Sequence, residues 1–537
     1  MTPKFISGPP GTGKTSIWLT DKYIELLEKY SHSNMLVLSH TNVAADEIRD
    51  NILKLKEVKE RGLTKNSFKY KISTIHSYCK HKMQDKRELW GYTDYEACCE
   101  LNGDFRLKKA TPKDIDNRSH PFLKFIDGAH GHARSLEDHW EETENNTEAF
   151  RPYKKDTLID MAKIYYKYLE DYTLSDYNEM IQKFIDKAKA PEIDVLIVDE
   201  AQDSNASQRI ALEKLATHAK EVYWIGDADQ TIFEFAGSDA DYFHTLSKNA
   251  EQLEQGYRCG LTINTKCKGI IKPIWDHYKY TRVWKPANYP KGHIKEGEPI
   301  IGEAYQIPSW DRPSYGLDKL LEKIETTKES FLFTYRGNPT DTKVRQFLKV
   351  NGIQFAHIKN TAHVSNKELR CHKVWPNFIS GEPMSLKQIK DFWDYIGSIV
   401  VVRGKGKNTD PFKDWVKQDY TIDQLISKNY LKDSVKSQRD FSLIRTKVDS
   451  ERIKYIDNVL HKGVDLDNEA RVKYGNIHEV KGTTFDNVIV DETRTRVEEY
   501  FTQLRLKFVA YSRGRIDYWT VQSSDKYKLG ERRGSTI

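Results

Sequence analysis

The sequence predicts an α/β fold built on parallel sheets, and three stretches carry that expectation. Gly8-Pro9-Pro10-Gly11-Thr12-Gly13-Lys14-Thr15 matches the phosphate-binding pattern G-x-x-x-x-G-K-[ST] in full. Apolar Phe5-Ile6 before it reads as the end of a strand, and Ile17, Ile24, Leu26 and Leu27 after it read as positions of one helix. Val195-Leu196-Ile197-Val198 has the composition of a strand buried on both faces of a parallel sheet, and it stops at Asp199-Glu200-Ala201-Gln202-Asp203. Val222-Tyr223-Trp224-Ile225 repeats the pattern and leads into Gly226-Asp227-Ala228-Asp229-Gln230.

Each stretch has a chemical reason. Glycines let a loop close around phosphate oxygens with its N–H groups inward, and the following helix adds its positive N-terminal dipole. Gly8, Pro9, Pro10, Gly11, Thr12, Gly13, Lys14 and Thr15 are therefore candidate contacts to a nucleotide. Lys14 is suited to the β- and γ-phosphates, and the Thr15 hydroxyl to Mg²⁺. Carboxylates at the C-terminal edge of a central strand face the ligand crevice. Asp199 is thus the second candidate for Mg²⁺, and Glu200 the candidate general base on the attacking water. The bland alternative, an acidic surface turn, loses weight beside a complete phosphate loop. Gln230 closes a core strand, where its amide can sense a γ-phosphate. Phe233 and Phe235, if extended, share a face and offer bases a stacking platform, although taken alone they favour core packing. The loop by itself specifies a nucleoside triphosphate and leaves kinase, GTPase, ring ATPase and helicase open.

Composition narrows the class. A chain of 537 residues suggests three or four folding units. Its net charge of +6 is compatible with a nucleic-acid partner without establishing one. Six cysteines, none in a C-x-x-C pair, argue against a disulfide framework or metal knuckle. There is no run of about 18 apolar residues and no secretory leader pattern, so a cytoplasmic protein without a membrane partner is expected.

The segments after the loop carry a family resemblance. Leu38-Ser39-His40-Thr41-Asn42-Val43-Ala44-Ala45 resembles T-N-x-A-A, and Ser73-Thr74-Ile75-His76-Ser77-Tyr78 resembles T-x-H-S. D-E-A-Q-D at 199–203 and G-D-x-x-Q-x-I-F-x-F-x-G at 226–237 follow. Leu253-Glu254-Gln255-Gly256-Tyr257-Arg258 resembles L-x-x-N-Y-R, and 333–338 resembles Y-R-x-N. Residues 477–482 and 508–514 resemble H-x-x-K-G and V-x-x-[ST]-R-[AG]. In this order the nine segments resemble a UvrD/Rep-type superfamily 1 DNA helicase.

The resemblance implies roles. ATP and Mg²⁺ would be the cofactors, with Tyr257 stacking on adenine and Arg258 and Arg513 acting on the γ-phosphate from the second domain. Gln230 would couple nucleotide state to DNA. Thr41, Asn42, Thr74, His76 and Ser77 would hold the DNA backbone, Phe233 and Phe235 would stack on bases, and His478 and Lys481 would contact DNA or relay between sites. The partners implied are single-stranded DNA and single/double-strand junctions, with 3′-to-5′ movement and a monomeric or weakly self-associating state. Two departures stand out. No glutamine-bearing adenine-reading segment lies in the seven residues before Gly8, and Thr484 replaces the ribose-contacting carboxylate of K-G-L-E-F.

The implied architecture is two RecA-like domains with parallel sheets, each interrupted by a mostly helical or mixed insertion. The first would comprise 1–80 and 190–250 around an insertion at 81–189, with a helix near 157–188. The second would comprise 251–360 and 471–537 around an insertion at 361–470, which carries spaced cations at Lys432, Lys436, Arg439, Arg445, Lys447, Arg452 and Lys454. Two other readings share these motifs: a translocase that displaces proteins without unwinding, and a non-catalytic DNA-binding module. Intact Lys14, Asp199, Glu200, Gln230, Arg258 and Arg513 oppose the second.

Overall fold

The computed structural model describes residues 3–102, 111–116, 118, 120–143, 153–359, 361–406, 411–413, 415–445, 448–493 and 499–522. The chain forms two compact units, Met1–Ile300 with Glu498–Phe508 and Ile301–Val497 with Val509–Ile537. Each contains a six-stranded parallel sheet, as expected for the fold class.

The first sheet comprises β1 (Lys4–Ser7), β2 (Met35–Ser39), β3 (Ile72–Thr74), β4 (Val195–Val198), β5 (Glu221–Gly226) and β6 (Glu251–Gln252). Their spatial order is β3-β2-β4-β5-β1-β6. Side chains alternate between faces. Phe5, Leu36, Leu196, Val198 and Trp224 enter one core with Ile75, Leu212 and Phe243. Ile6, Val37, Val195, Ile197 and Tyr223 enter the other with Leu19, Tyr23 and Ile48. Double-sided burial is why β2 and β4 read as unbroken apolar runs. At this depth, truncating Leu196 to alanine costs about 2–5 kcal/mol. The order also brings the C-terminal ends of β1 and β5 together, where the Gly8 N–H donates to the Gly226 carbonyl at 3.1 Å.

The inserted body of this unit has its own core of Trp90, Phe122, Phe125, Trp140, Tyr165 and Leu169. The helix expected near 157–188 is two helices, Lys155–Asp171 and Tyr177–Lys187. The chain breaks at Thr173, which has φ 56°, and restarts where the Asp176 carboxylate accepts the Glu179 N–H at 2.7 Å. Ile181 and Phe184 of the second helix belong to the main sheet's core, not to the inserted one.

Residues 251–300 differ from the sequence expectation, lying in the first unit rather than the second. β6 pairs with β1, Leu253 N–H donates to Ser7 O at 2.9 Å, and Tyr257 N–H donates to Gly11 O at 2.7 Å. Those backbone bonds fasten the segment to the phosphate loop. The helix Leu261–Tyr278 follows, burying Ile263, Ile271, Ile274 and Trp275.

The second sheet comprises β7 (Ala304–Ile307), β8 (Phe331–Tyr335), β9 (Phe355–His357), β10 (Val472–Asn476), β11 (Phe485–Asp491) and β12 (Gly514–Val521), in the order β9-β10-β8-β11-β12-β7. The neighbours β9 and β10 are separated in sequence by the second insertion. That insertion has a separate aromatic core including Trp375, Phe378, Phe392, Trp393, Phe412 and Phe441. Its last helix, Ser450–His461, instead sends Tyr455, Ile456 and Val459 into the core of the main sheet. Two of its cations are structural. Arg445 and Arg452 each pair at 2.7 Å with the buried carboxylate of Glu368. Lys447 lies outside the described residues. Among the described residues, no helix is long and apolar enough to cross a membrane.

Candidate functional site

The loop after β1 is tightly wound, and its glycines sit where a side chain would not fit. Gly11 and Gly13 take left-handed φ of 73° and 75°, which only glycine adopts without strain. A Cβ on Gly8 would lie 2.4 Å from Thr12 Oγ1, and one on Gly11 would lie 2.3 Å from the Arg258 Cβ. The Lys14 ammonium donates to the Gly8 carbonyl at 2.9 Å, and the Thr12 hydroxyl to the Pro9 carbonyl at 2.8 Å. The lysine is therefore folded back over the loop, 7% exposed, at the mouth of the cradle.

The Thr15 hydroxyl donates to Asp199 Oδ2 at 2.8 Å, so the two expected Mg²⁺ ligands meet across the sheet edge. Asp199 Oδ1 is buried with no hydrogen-bond partner among the described residues. Burial pushes the Asp199 carboxyl up to about 7, with the Glu200 charge adding and Thr15 and Lys14 opposing. A buried, under-satisfied carboxylate oxygen beside a hydroxyl suits a hard, oxygen-binding cation, so these residues fit Mg²⁺. Glu200 sits at φ 51°, a conformation uncommon for a residue with a side chain and typical of functional sites. Gln202, which the sequence reading passed over, ties the site together. Its amide donates to Glu200 Oε2 at 2.5 Å and its carbonyl accepts from the Asp227 N–H at 3.0 Å. A Cβ on Gly226 would strike that carbonyl oxygen at 2.3 Å, which explains the glycine there.

Gln230 ends the 3₁₀ turn Ala228–Gln230 that follows β5 and is 4% exposed, its amide donating to Asp227 Oδ2 at 2.8 Å. On the other side of the cradle lies a cavity of about 460 Å³ whose walls include Thr12, Trp18, Lys22, Gln255 and Tyr257. The Tyr257 ring is 57% exposed at this wall. Arg258 corrects the expectation that it reaches the nucleotide from the second domain: it lies in the first unit, its backbone against Gly11. The reason is the β6 pairing, whose two polar strand residues carry no apolar pattern to read.

Thr41, Asn42, Thr74, His76 and Ser77, five of the expected DNA contacts, cluster at one sheet edge. β2 and β3 are neighbours, with Ser39 opposite Thr74, and each runs directly into a helix. Thr41 caps the helix Asn42–Lys54 by accepting the Ala44 N–H at 3.1 Å, and Thr74 caps Ile75–Lys82 by accepting the Ser77 N–H at 3.2 Å. A hydroxyl accepting in this way keeps its proton for donation, and two adjacent helix N-termini favour phosphate groups. Thr41 and Asn42 are exposed, Ser77 is partly buried and Thr74 is buried. His76 packs edge-on to Tyr177 at 5.4 Å. Burial pushes its imidazole down to about 4, against the Asp176 charge, so it is neutral near pH 7.

Phe233 and Phe235 are not extended. Glu234–Ala236 is a 3₁₀ turn, and the two rings sit 6.1 Å apart at 58°, with Phe235 71% exposed. The insertion sets this turn from behind. Gly131, at the end of the helix Pro121–Gly131, approaches so closely that its Cβ would lie 2.3 Å from the Ala236 carbonyl oxygen. Arg505 and Thr502 also hold Glu234 at 2.7 Å, a contact no motif announced. Gly131→Ala is expected to destabilise the protein by about 1–3 kcal/mol and to weaken oligo-dT binding as the turn shifts. Thermal melts and fluorescence anisotropy read the two effects.

In the second unit, His478 and Lys481 lie partly buried in the turn after β10. The His478 and Glu479 N–H groups both donate to Asn476 Oδ1 at 3.1 Å. Arg513 follows the helix Tyr500–Tyr511 and is 1% exposed, its Nε donating to Val509 O at 2.9 Å and a terminal nitrogen to Ser512 Oγ at 2.9 Å.

Comparison with known proteins agrees with this geometry. Residues 1–251 match the family described as the UvrD/REP helicase N-terminal domain. The chain is 25% identical over 301 residues to the "Probable DNA helicase II homolog" of Mycoplasma pneumoniae, covering 49% of this chain and 39% of that protein. It is 23% identical over 401 residues to "ATP-dependent DNA helicase PcrA" of Bacillus subtilis, covering 68% and 50%. To the "Probable DNA helicase II homolog" of Mycoplasma genitalium it is 22% identical over 548 residues, covering 93% and 71%. The chain thus spans half or less of the first two relatives' lengths. Residues 1–251 thus carry the UvrD/REP helicase N-terminal domain, and the motif order, phosphate loop and two six-stranded parallel sheets of the chain are similar to those of UvrD/Rep-type superfamily 1 DNA helicases.

Proposed function

We propose that this protein is an ATP-dependent DNA helicase that moves along single-stranded DNA, 3′-to-5′, and separates strands at single/double-strand junctions. One observation supports this reading above the others. Gln230, buried at the nucleotide end of the 226–237 segment, and Phe235, 71% exposed, are five residues apart in one chain segment. A phosphate sensor and a base platform on the same short segment couple two sites mechanically.

In this reading Lys14 and the N–H groups of 8–15 hold the triphosphate, while Thr15 and Asp199 hold Mg²⁺. The metal supplies charge neutralisation on the phosphates. Glu200 takes a proton from the attacking water, and Gln230 exchanges Asp227 for a phosphoryl oxygen. Arg258 stabilises charge on that group from beside Gly11, and Arg513 is proposed as a second arginine for the phosphates. Tyr257 stacks on the base. Thr41, Asn42, Thr74, His76 and Ser77 grip the DNA backbone, with His478 and Lys481 as further contacts. Phe233 and Phe235 resist slippage, at roughly 1–3 kcal/mol per stacked base. Binding and hydrolysis shift populations because the contacts differ between the two states.

Tailed duplexes with either a 3′ or a 5′ overhang test the proposal. ATP-dependent unwinding of the 3′-tailed substrate is expected. Displacement of a bound protein without unwinding would identify a translocase instead. Phe235→Ala is expected to slow strand movement by roughly tenfold or more, a loss of one to two stacking contacts, while DNA-independent hydrolysis changes little. Equal losses in both assays would remove Phe235 from the DNA platform.

A further inference from the structure

Behind Gln230 lies a buried cluster that none of the assigned roles uses. Arg282, just beyond the helix Leu261–Tyr278, has a side chain with no exposed surface. One of its terminal nitrogens donates to Asp227 Oδ1 at 2.5 Å and to Asp229 Oδ2 at 2.7 Å. The indole of Trp275 donates to the same Asp229 oxygen at 2.9 Å. Asp227 and Asp229 are both fully buried. Asp227 is therefore committed on both oxygens, one to Arg282 and the other to the Gln230 amide at 2.8 Å.

Stability does not explain this arrangement. Taking three ionic groups out of water is costly, and a well-packed apolar replacement is often as stable or more so. The cost rises when polar atoms go unsatisfied. Arg282 Nε and one terminal nitrogen, together with Asp229 Oδ1, are buried with no hydrogen-bond partner among the described residues. Burial pushes the Asp229 carboxyl up to about 6 despite the arginine beside it. What the cluster does achieve is a fixed position and a reduced charge for Asp227, the group that holds Gln230. An acceptor half-neutralised by Arg282 releases an amide to an incoming phosphoryl oxygen more readily than a bare carboxylate does.

We propose that Arg282 is a positioning residue that sets the release of Gln230 by sharing the carboxylate of Asp227. The inference rests on the reading of Gln230 as the link between nucleotide and DNA, and assigns that link its control. Arg282 is buried, and it reaches Gln230 through Asp227.

A double-mutant cycle tests it, because residues acting through one another are non-additive whereas independent structural damage adds. Arg282→Gln, Gln230→Ala and the double variant of the full chain are compared for ATP hydrolysis with and without saturating oligo-dT, and for the KM of ATP. Arg282→Gln is expected to cut stimulation by DNA roughly tenfold, with KM within about threefold of the parent. In the Gln230→Ala background the same change is expected to add less than about twofold. If Arg282→Gln does not fold, as judged by thermal melts, the charge-balanced pair Arg282→Gln with Asp229→Asn runs the same cycle. Additive losses, a KM that rises in step with the lost stimulation, or unchanged stimulation in a folded variant would each overturn the proposal. A parent enzyme that DNA does not stimulate would sink the motor reading rather than this one. The cycle is then read on kcat alone, where non-additivity still supports Arg282 and additivity still overturns it.

Discussion

Lys14→Ala loses ATP turnover by roughly 10²–10³-fold or more, while oligo-dT binding persists. The magnitude is that of deleting one preorganised donor to a developing anion. Lys14 is the cation within the glycine cradle itself, held over the loop by its 2.9 Å bond to Gly8 O. Its loss leaves the loop N–H groups in place, but no charge among them. The residues proposed to bind DNA lie elsewhere, at the ends of β2 and β3 and on the 233–237 turn, so anisotropy with labelled oligo-dT is expected to change little. Full turnover in the folded variant would place the active site away from this loop.

Glu200→Gln is expected to lower hydrolysis by about 10²–10⁴-fold, the contribution of a positioned general base, with nucleotide binding retained. Glutamine keeps the shape and removes the basic oxygen that accepts from Gln202 at 2.5 Å. Asp199 and Thr15 are untouched, so affinity for a Mg²⁺-nucleotide should survive. Single-turnover hydrolysis beside equilibrium binding of a fluorescent ATP analogue separates the two. A variant that loses affinity but hydrolyses normally at saturation would make Glu200 a ligand rather than a base.

The parts of this molecule legible in the sequence are those whose physics is local. A strand buried on both faces must be apolar at every position, so Val195–Val198 declares itself and the acidic pair after it is found by counting. The phosphate loop is legible because close backbone approach demands glycine at fixed spacing. β6 was not legible, because Glu251 and Gln252 form a two-residue polar edge held by main-chain bonds, and the domain boundary moved with it. The 3₁₀ turn carrying Phe235 was not legible, because the backbone packed against it comes from Gly131, over 100 residues away. Arg282 and Arg505 are single cations whose meaning comes from partners 55 and 271 residues distant, Asp227 and Glu234, and no local pattern marks such pairs.

The central claim is that one segment, 226–237, joins a triphosphate site to a grip on single-stranded DNA. Steady-state ATP hydrolysis titrated with oligo-dT tests it most directly, with binding followed by anisotropy in the same buffer. The account predicts a rate that climbs with occupancy, saturates when binding does, and weakens with added salt as phosphate contacts are screened. Hydrolysis that stays flat while the DNA demonstrably binds would contradict it.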